Sequence, residues 1–361
     1  MPNFSVAFVG TGPDPENPDW GTHSGMAYHH ARGYEELEQC ELVACADLVT
    51  ERGQEFAGEF DLPDAAVYED YGAMVAEHEP DFVSVCTPIP THAAIVTDLA
   101  ESGHVGAIHC EKPMANTWGD ARRMTEVCDR EGVQLTFNHQ RRFGDPWMEA
   151  KRLLDDGVIG DLTRVEMGCS ELFDYGSHLI DLCHYYVDET DPEWILGAID
   201  YREENIKYGA HNENHAFVQW RYENGVYGVA STGVGEEMPA VHNQLFGTEG
   251  RIEVLPEGWG DDGPTLRVRH KDGTEWEEHY MGLGPLIPRA IEHIVEAYDD
   301  GRQPALSGEH ALRATEIIFG AWESARQRGR VEFPLDIDDN PLEAMVEDGV
   351  LNPAPENVEV E

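Results

Sequence analysis

Two stretches of this chain carry side chains suited to moving a proton. In the run Asp174-Tyr175-Gly176-Ser177-His178-Leu179-Ile180-Asp181, residues 174 and 178 are four apart. On a helix begun by Asp174 they share one face. A carboxylate and an imidazole presented together suit exchange of a proton with a hydroxyl. His178 would be the acid/base, and Asp174 would orient it or bind the hydroxyl. Asp181, three residues further on, is placed to fix the His178 tautomer. The plainer alternative is an N-capping Asp174 followed by a structural histidine. The second stretch is Cys110-Glu111-Lys112-Pro113, at the end of a predicted strand, where open α/β sheets bind ligands. A lysine there can hydrogen-bond a reacting hydroxyl and stabilise the oxyanion that develops on it. An ordinary solvated lysine is the alternative. Only four lysines occur in the chain, at 112, 151, 207 and 271, so one retained beside a strand end counts for more than usual.

A nucleotide pocket is suggested by the turn after the first apolar run, Gly10-Thr11-Gly12. A G-x-G turn lets the backbone approach a pyrophosphate lying at the next helix N-terminus. The third glycine of that pattern is displaced: an insertion of residues 13–22 precedes Ser24 and Gly25, where the helix is predicted to begin. The plainer reading is an ordinary strand–loop turn. At the end of the second strand stands Asp47, placed to accept the adenosine ribose hydroxyls and to repel a 2′-phosphate, which favours NAD over NADP. The same residue can serve simply as a helix cap. Arg52, a turn into the following helix, can pair with Glu55 or meet a 2′-phosphate.

These residues need elements to hold them. Apolar runs at 4–10, 41–47, 82–87, 107–111 and 134–138 alternate with helical patterns at 25–36, 50–60, 71–77, 91–103 and 117–131. Apolar strands separated by amphipathic helices predict a parallel, doubly wound Rossmann-type sheet. Beyond residue 142 the pattern changes. Helices at 147–156 and 174–187 flank a strand at 162–169, and then strands at 193–201, 215–222, 226–232, 241–247, 250–255, 265–269 and 274–278 follow one another directly. Turn signals such as Glu223-Asn224-Gly225 separate them. The fold class is therefore α/β: a Rossmann domain over 1–142, then an α+β domain with a large, mostly antiparallel sheet over 143–334. Its closing helices, at 286–299 and 307–328, are free to pack back on the first domain. The acidic, proline-punctuated tail, 335–361, is predicted to be loosely ordered.

Composition narrows the function. The chain has 71 Asp and Glu against 24 Lys and Arg, a net charge of −47. The acids are spread throughout, which fits adaptation to high salt, where such self-repulsion is screened. The same surface repels phosphate backbones and argues against nucleic acid as a partner. No apolar run is long enough to span a bilayer. The start, Met1-Pro2-Asn3, lacks a signal-peptide pattern, and the expected location is cytoplasmic. Seven scattered cysteines without a C-x-x-C read as buried thiols in a reducing compartment. The histidines, among them the adjacent His29-His30, show no metal-ligand spacing, so no metal is expected.

Taken in order, the Gly-rich turn, Asp47, Thr87-Pro88 with His92, Glu111-Lys112-Pro113, Arg142-Phe143 and the D-x-G-x-H-x-x-D run resemble the Gfo/Idh/MocA oxidoreductases. The likeness covers roughly residues 4–335. It implies a catalytic set of Lys112, Asp174 and His178, which transfers a hydride between NAD, or NADP, and a secondary alcohol carbon of a sugar, sugar acid or cyclitol. It also implies a nicotinamide lying against Thr87-Pro88 and the Glu111-Lys112-Pro113 turn, and a homodimer or homotetramer formed through the C-terminal sheet. Gly10, Thr11, Gly12, Ser24, Gly25, Asp47 and His92 complete the expected cofactor set. Arg141 and Arg142 are the best substrate candidates, ahead of Asn138, His139, Asn212, His215 and His242. Two departures stand out. One is the insertion after Gly12; the other is Cys169-Ser170-Glu171-Leu172-Phe173 where the family has a glycine-rich stretch. An NAD-dependent glycosidase using transient oxidation and a non-catalytic nucleotide-sensing regulator are the competing functions.

Overall fold

The computed structural model describes residues 4–12, 25–239, 241–255 and 263–355. The chain divides into two compact units, 1–140 with 285–312, and 141–284 with 313–361. The segment 285–312 thus belongs with the nucleotide-binding part of the sequence.

In the first unit strands and helices alternate. They are β1 (Phe4–Val9), α1 (Met26–Glu35), β2 (Cys40–Ala46), α2 (Thr50–Glu59), β3 (Val67–Tyr68), α3 (Tyr71–His78), β4 (Phe82–Val85), α4 (Ile89–Glu101), β5 (Ala107–Cys110), α5 (Trp118–Glu131) and β6 (Gln134–Phe137). Their order in the sheet is β3-β2-β1-β4-β5-β6, and every pairing is parallel. Val6, Ala7, Phe8, Phe82, Val83 and Ile108 are fully buried. Successive strand residues are apolar because helices cover both faces. The strand order reverses between β1 and β4, which opens a crevice beyond their carboxyl ends. The two-residue β3 escapes sequence periodicity because so short a strand has none to show.

The second unit holds α6 (Asp145–Asp155), β7 (Leu162–Cys169), α7 (Gly176–Tyr186), β8 (Pro192–Asp200), β9 (Ile206–Lys207), β10 (Ala210–His211), β11 (His215–Tyr222), β12 (Tyr227–Thr232), β13 (Asn243–Gly247), β14 (Gly250–Val254), β15 (Leu266–His270) and β16 (Glu277–His279). After α8 (Leu286–Asp299) and α9 (Gly308–Gln327) come β17 (Val331–Glu332) and α10 (Pro341–Glu347). Nine strands form one sheet in the order β16-β15-β14-β13-β7-β12-β11-β8-β17, and β9 and β10 form a separate hairpin. Only the β12–β7 pair is parallel. One face packs on α7, with Val165, Met167, Val218 and Trp220 buried. Leu196, Phe217 and Tyr227 project from the other, exposed face.

As far as residue 355, the tail corrects the expectation of loose order. Asn340 caps α10 through its side chain, Pro341 opens the helix, and Leu342 and Met345 are buried. Proline at the first helical position after an Asn cap is a start signal, not a breaker. In the first unit α8 packs against α1, where Gly33 admits Ile291 so closely that a Cβ would lie 3.0 Å from it. Among the described residues no helix is long and apolar enough to cross a membrane. No three His, Cys, Asp or Glu side chains among them converge to hold a metal ion.

Candidate active site

In the first unit the candidate residues lie at the carboxyl ends of β1, β4, β5 and β6. Gly10 leaves β1 with φ +82°, and a Cβ there would stand 2.7 Å from the Cys86 carbonyl oxygen and from Thr87 Cγ2. Glycine is required on both counts. Where a Cβ on Gly25 would sit, the carbonyl carbon of Gly12 is only 3.8 Å away. Gly12 and Gly25, on either side of the insertion, therefore approach each other, and the glycine displaced in sequence returns beside the turn in space. Gly25 begins α1 with no side-chain cap, which leaves the first N–H groups of the helix for a ligand anion. Ser24 lies outside the described residues. These features fit a dinucleotide pyrophosphate.

Thr11 has another job than the one expected of it. Its N–H donates to Asp47 Oδ2 at 2.8 Å and its hydroxyl lies 3.2 Å from the same oxygen, while Asp47 Oδ1 accepts the Val49 N–H at 2.8 Å. Fully buried Thr11 thus ties the turn to the end of β2 rather than facing the cofactor. The half-exposed Asp47 keeps lone pairs for a ribose. Arg52 does not reach away to Glu55; its stem lies over Gly12, with Cδ only 2.3 Å from where a Cβ would be.

Glu111 also proves to be a brace. It is 8% exposed; its Oε1 meets His30 Nε2 at 3.0 Å and accepts from Asn138 Nδ2 at 2.7 Å, and its Oε2 accepts the Lys112 N–H at 3.2 Å. Asn138, a substrate candidate in the sequence, is thereby committed to Glu111. His30 Nδ1 contacts Ser84 Oγ at 2.7 Å. Burial alone would lower the His30 proton affinity, but the Cys86 sulfur beside Nδ1 and the Glu111 carboxylate outweigh it and push the value up to about 10. Burial opposes ionisation of Glu111 as well, and the hydrogen bond and charge of His30 prevail, lowering it to about 2. His92 is completely buried, with Nε2 2.8 Å from the Thr87 carbonyl and Nδ1 3.0 Å from that of Pro113. It staples the two loops and does not present itself to a ligand. Lys112 is half-buried at the head of this scaffold, before the cis peptide to Pro113.

The pair dictates a pH signature. The stabilisation from His30 is complete below its ordinary value of 6.5 and fades as pH rises toward 10; that from Glu111 is complete above 4.5 and fades toward 2. The melting-temperature difference between wild type and a His30→Gln/Glu111→Gln variant should therefore peak between those two ordinary values. A difference still growing on the alkaline side would contradict the assignment.

In the second unit the Asp174–His178 run departs from the expected geometry. Helix α7 begins at Gly176, and Asp174 lies in the turn before it. A Cβ on Gly176 would sit 2.5 Å from the Glu171 carbonyl, which accepts the Gly176 N–H at 3.0 Å. The tight turn 171–176 is what calls for this glycine. Asp174 therefore stands in the turn ahead of the helix that carries His178. Asn212, itself fully buried, accepts the Asp174 N–H through Oδ1 at 3.0 Å, which makes it a holder of Asp174. His178 is 5% exposed.

Asp181 has a strong partner besides any on its own helix. Both its oxygens take the buried Arg142, from Nε and Nη2 at 2.7 Å each, and Glu189 takes Nη1. Arg142, expected to face substrate, is structural: with 4% exposure it is the counter-ion of two carboxylates. Arg141 lies over the rings of Tyr175, 4.7 Å from the centroid, and Trp147, at 5.4 Å, with Nη1 3.1 Å from His242 Nε2. His242 Nδ1 lies 2.8 Å from Asn243 Oδ1 and 3.3 Å from the Trp147 indole nitrogen. Burial, then the Arg141 charge, holds this ring neutral. Arg141 and His242 are thus brought beside the Asp174 turn. His215 is engaged at 2.6 Å with the Thr232 carbonyl.

Sequence comparison decides the family. Residues 4–139 match the family described as "Oxidoreductase family, NAD-binding Rossmann fold" and residues 164–333 match "Oxidoreductase family, C-terminal alpha/beta domain". The chain belongs to the Gfo/Idh/MocA oxidoreductases. Among the relatives of this Gfo/Idh/MocA member is a D-apiose dehydrogenase of Paraburkholderia graminis, 26% identical, with 84% of this chain and 86% of that one covered. A D-xylose 1-dehydrogenase [NADP(+)] of Haloarcula marismortui is 24% identical, covering 81% and 86%. Aldose-aldose oxidoreductase from Caulobacter crescentus, crystallised with glycerol, shares the fold with a TM-score of 0.74 at 19% identity, over 92% of this chain and all of that one.

Proposed function

We propose that the protein is a dehydrogenase acting on a secondary alcohol carbon of a sugar, sugar acid or cyclitol. The observation that carries this reading is the brace beneath Lys112: a buried, ionised Glu111 locked by His30 and Asn138 at the mouth of an NAD-binding Rossmann sheet. Nicotinamide, when bound, supplies the hydride acceptor or donor. The chain's own groups manage the proton and the oxygen. Lys112 donates to the substrate oxygen and stabilises its negative charge. His178 takes up or returns the hydroxyl proton, and Asp174 orients it or holds the hydroxyl. Arg141, stacked beside Tyr175, contacts a substrate oxygen. Asp47 supports NAD as the preferred cofactor, while Arg52, packed over the Gly-rich turn, leaves NADP as an alternative. The exposed apolar face at Leu196, Phe217 and Tyr227 supports a homo-oligomer.

The test is direct. Protein in molar salt is mixed with NAD or NADP and a panel of pentoses, hexoses, inositols and sugar acids, and reduced nicotinamide is followed by absorbance. Reduction with at least one substrate is expected, faster with NAD. Glycoside cleavage without net reduction, or nucleotide binding without any turnover, would replace this reading.

A further inference from the structure

Between β8 and β11 the chain makes a small excursion that the nine-stranded sheet does not use. Ile206–Lys207 pairs with Ala210–His211 across a two-residue turn whose residues, Tyr208 and Gly209, both have positive φ. That is the backbone of a tight hairpin. Three side chains on it and just after it grip the turn that carries Asp174. Lys207 Nζ lies 2.8 Å from Glu171 Oε2 and 4.0 Å from Asp174 Oδ2. Asn212 Oδ1 takes the Asp174 N–H, and Glu213 Oε1 takes the Leu172 N–H at 2.6 Å. Glu171 closes the ring by accepting the Tyr175 N–H at 3.1 Å.

The charges make Lys207 the keystone. Glu171 is 1% exposed and Glu213 fully buried, and both lie close to the turn that bears Asp174. Carboxylates removed from water require compensation. Glu213 has the Trp322 indole N–H at 3.0 Å, and burial pushes its proton affinity up to about 7. Glu171 instead has an ammonium, supplied by one of only four lysines in the chain.

Resting on the dehydrogenase reading, we propose that Lys207 is a positioning residue for the reaction: by bridging Glu171 and Asp174 it holds the Asp174 turn in its working geometry. Without the ammonium, Glu171 and Asp174 repel one another and the 171–176 turn loosens, carrying the carboxylate out of place. Misplacement of about 1 Å can cost 10²-fold in rate.

Full-length Lys207→Met, Lys207→Arg and Lys207→Met/Glu171→Gln variants separate the possibilities. Expected for Lys207→Met is a kcat lowered about 10- to 100-fold with KM for NAD unchanged, and faster amide hydrogen exchange in the 171–178 segment. Lys207→Arg should recover most of both. The double variant, which removes the buried charge along with its partner, should regain the slow exchange. An unchanged kcat, or an unchanged exchange rate over 171–178, overturns the inference. If wild type turns over no substrate, the dehydrogenase reading falls, and the exchange measurement still decides whether Lys207 holds the turn.

Discussion

Lys112→Met should leave a folded protein that binds NAD normally and turns over substrate about 10²–10⁴-fold more slowly, the range for losing one positioned acid–base group. The expectation follows from how the lysine is held. Its own N–H is tied to Glu111 Oε2, and Glu111 is anchored to His30 and Asn138. The backbone at 112 is thus fixed by buried groups that the substitution leaves in place. Methionine keeps the length and the apolar stem but has no proton to donate, so the change falls on the reacting oxygen rather than on the scaffold. Stopped-flow turnover alongside NAD titration by fluorescence separates the two effects. A variant with wild-type kcat, or one whose entire loss lies in NAD affinity, would remove Lys112 from the chemistry.

The largest stability effect is expected at Arg142. Its guanidinium is buried against Asp181 and Glu189, with two 2.7 Å contacts to Asp181 alone. Removing one partner of a buried ion pair strands the other without water, at a cost of about 3–5 kcal/mol. Arg142→Met should lose that much in denaturant unfolding in molar salt. Arg142→Met/Asp181→Leu should lose distinctly less, because an apolar pair strands only the partly exposed Glu189. The deficit should also persist as salt is raised, since buried charges are poorly screened. A loss below about 1 kcal/mol would mean that Arg142 behaves as an exposed pair.

Both predictions concern residues that the sequence singled out, and the structure gives Arg142 a role other than the one first expected of it. Arg142 attracted notice by following a strand at the ligand-binding end of the sheet. Nothing local revealed Asp181, 39 residues away, as its partner. His30 drew attention only as half of a His-His pair weighed for metal binding; the structure joins it to Glu111 across 81 residues. Lys207 was visible by the same scarcity that marked Lys112, but its meaning depends on Glu171, which looked like part of a replaced glycine-rich segment. The start of α7 was misjudged by two residues because a turn closed on the Glu171 carbonyl leaves no periodic trace.

Apolar periodicity and turn residues were enough to determine the parallel sheet, most of the strands and helices, the loops that bear Gly10, Asp47 and Lys112, and the helix that bears His178, since these depend on neighbours within a few positions. The acidic composition likewise needs no coordinates to be read. Tertiary structure alone decided which polar side chains are available to a ligand and which are spent inside. A buried carboxylate must find its counter-ion wherever the chain brings one, and that pairing is a property of space, not of spacing.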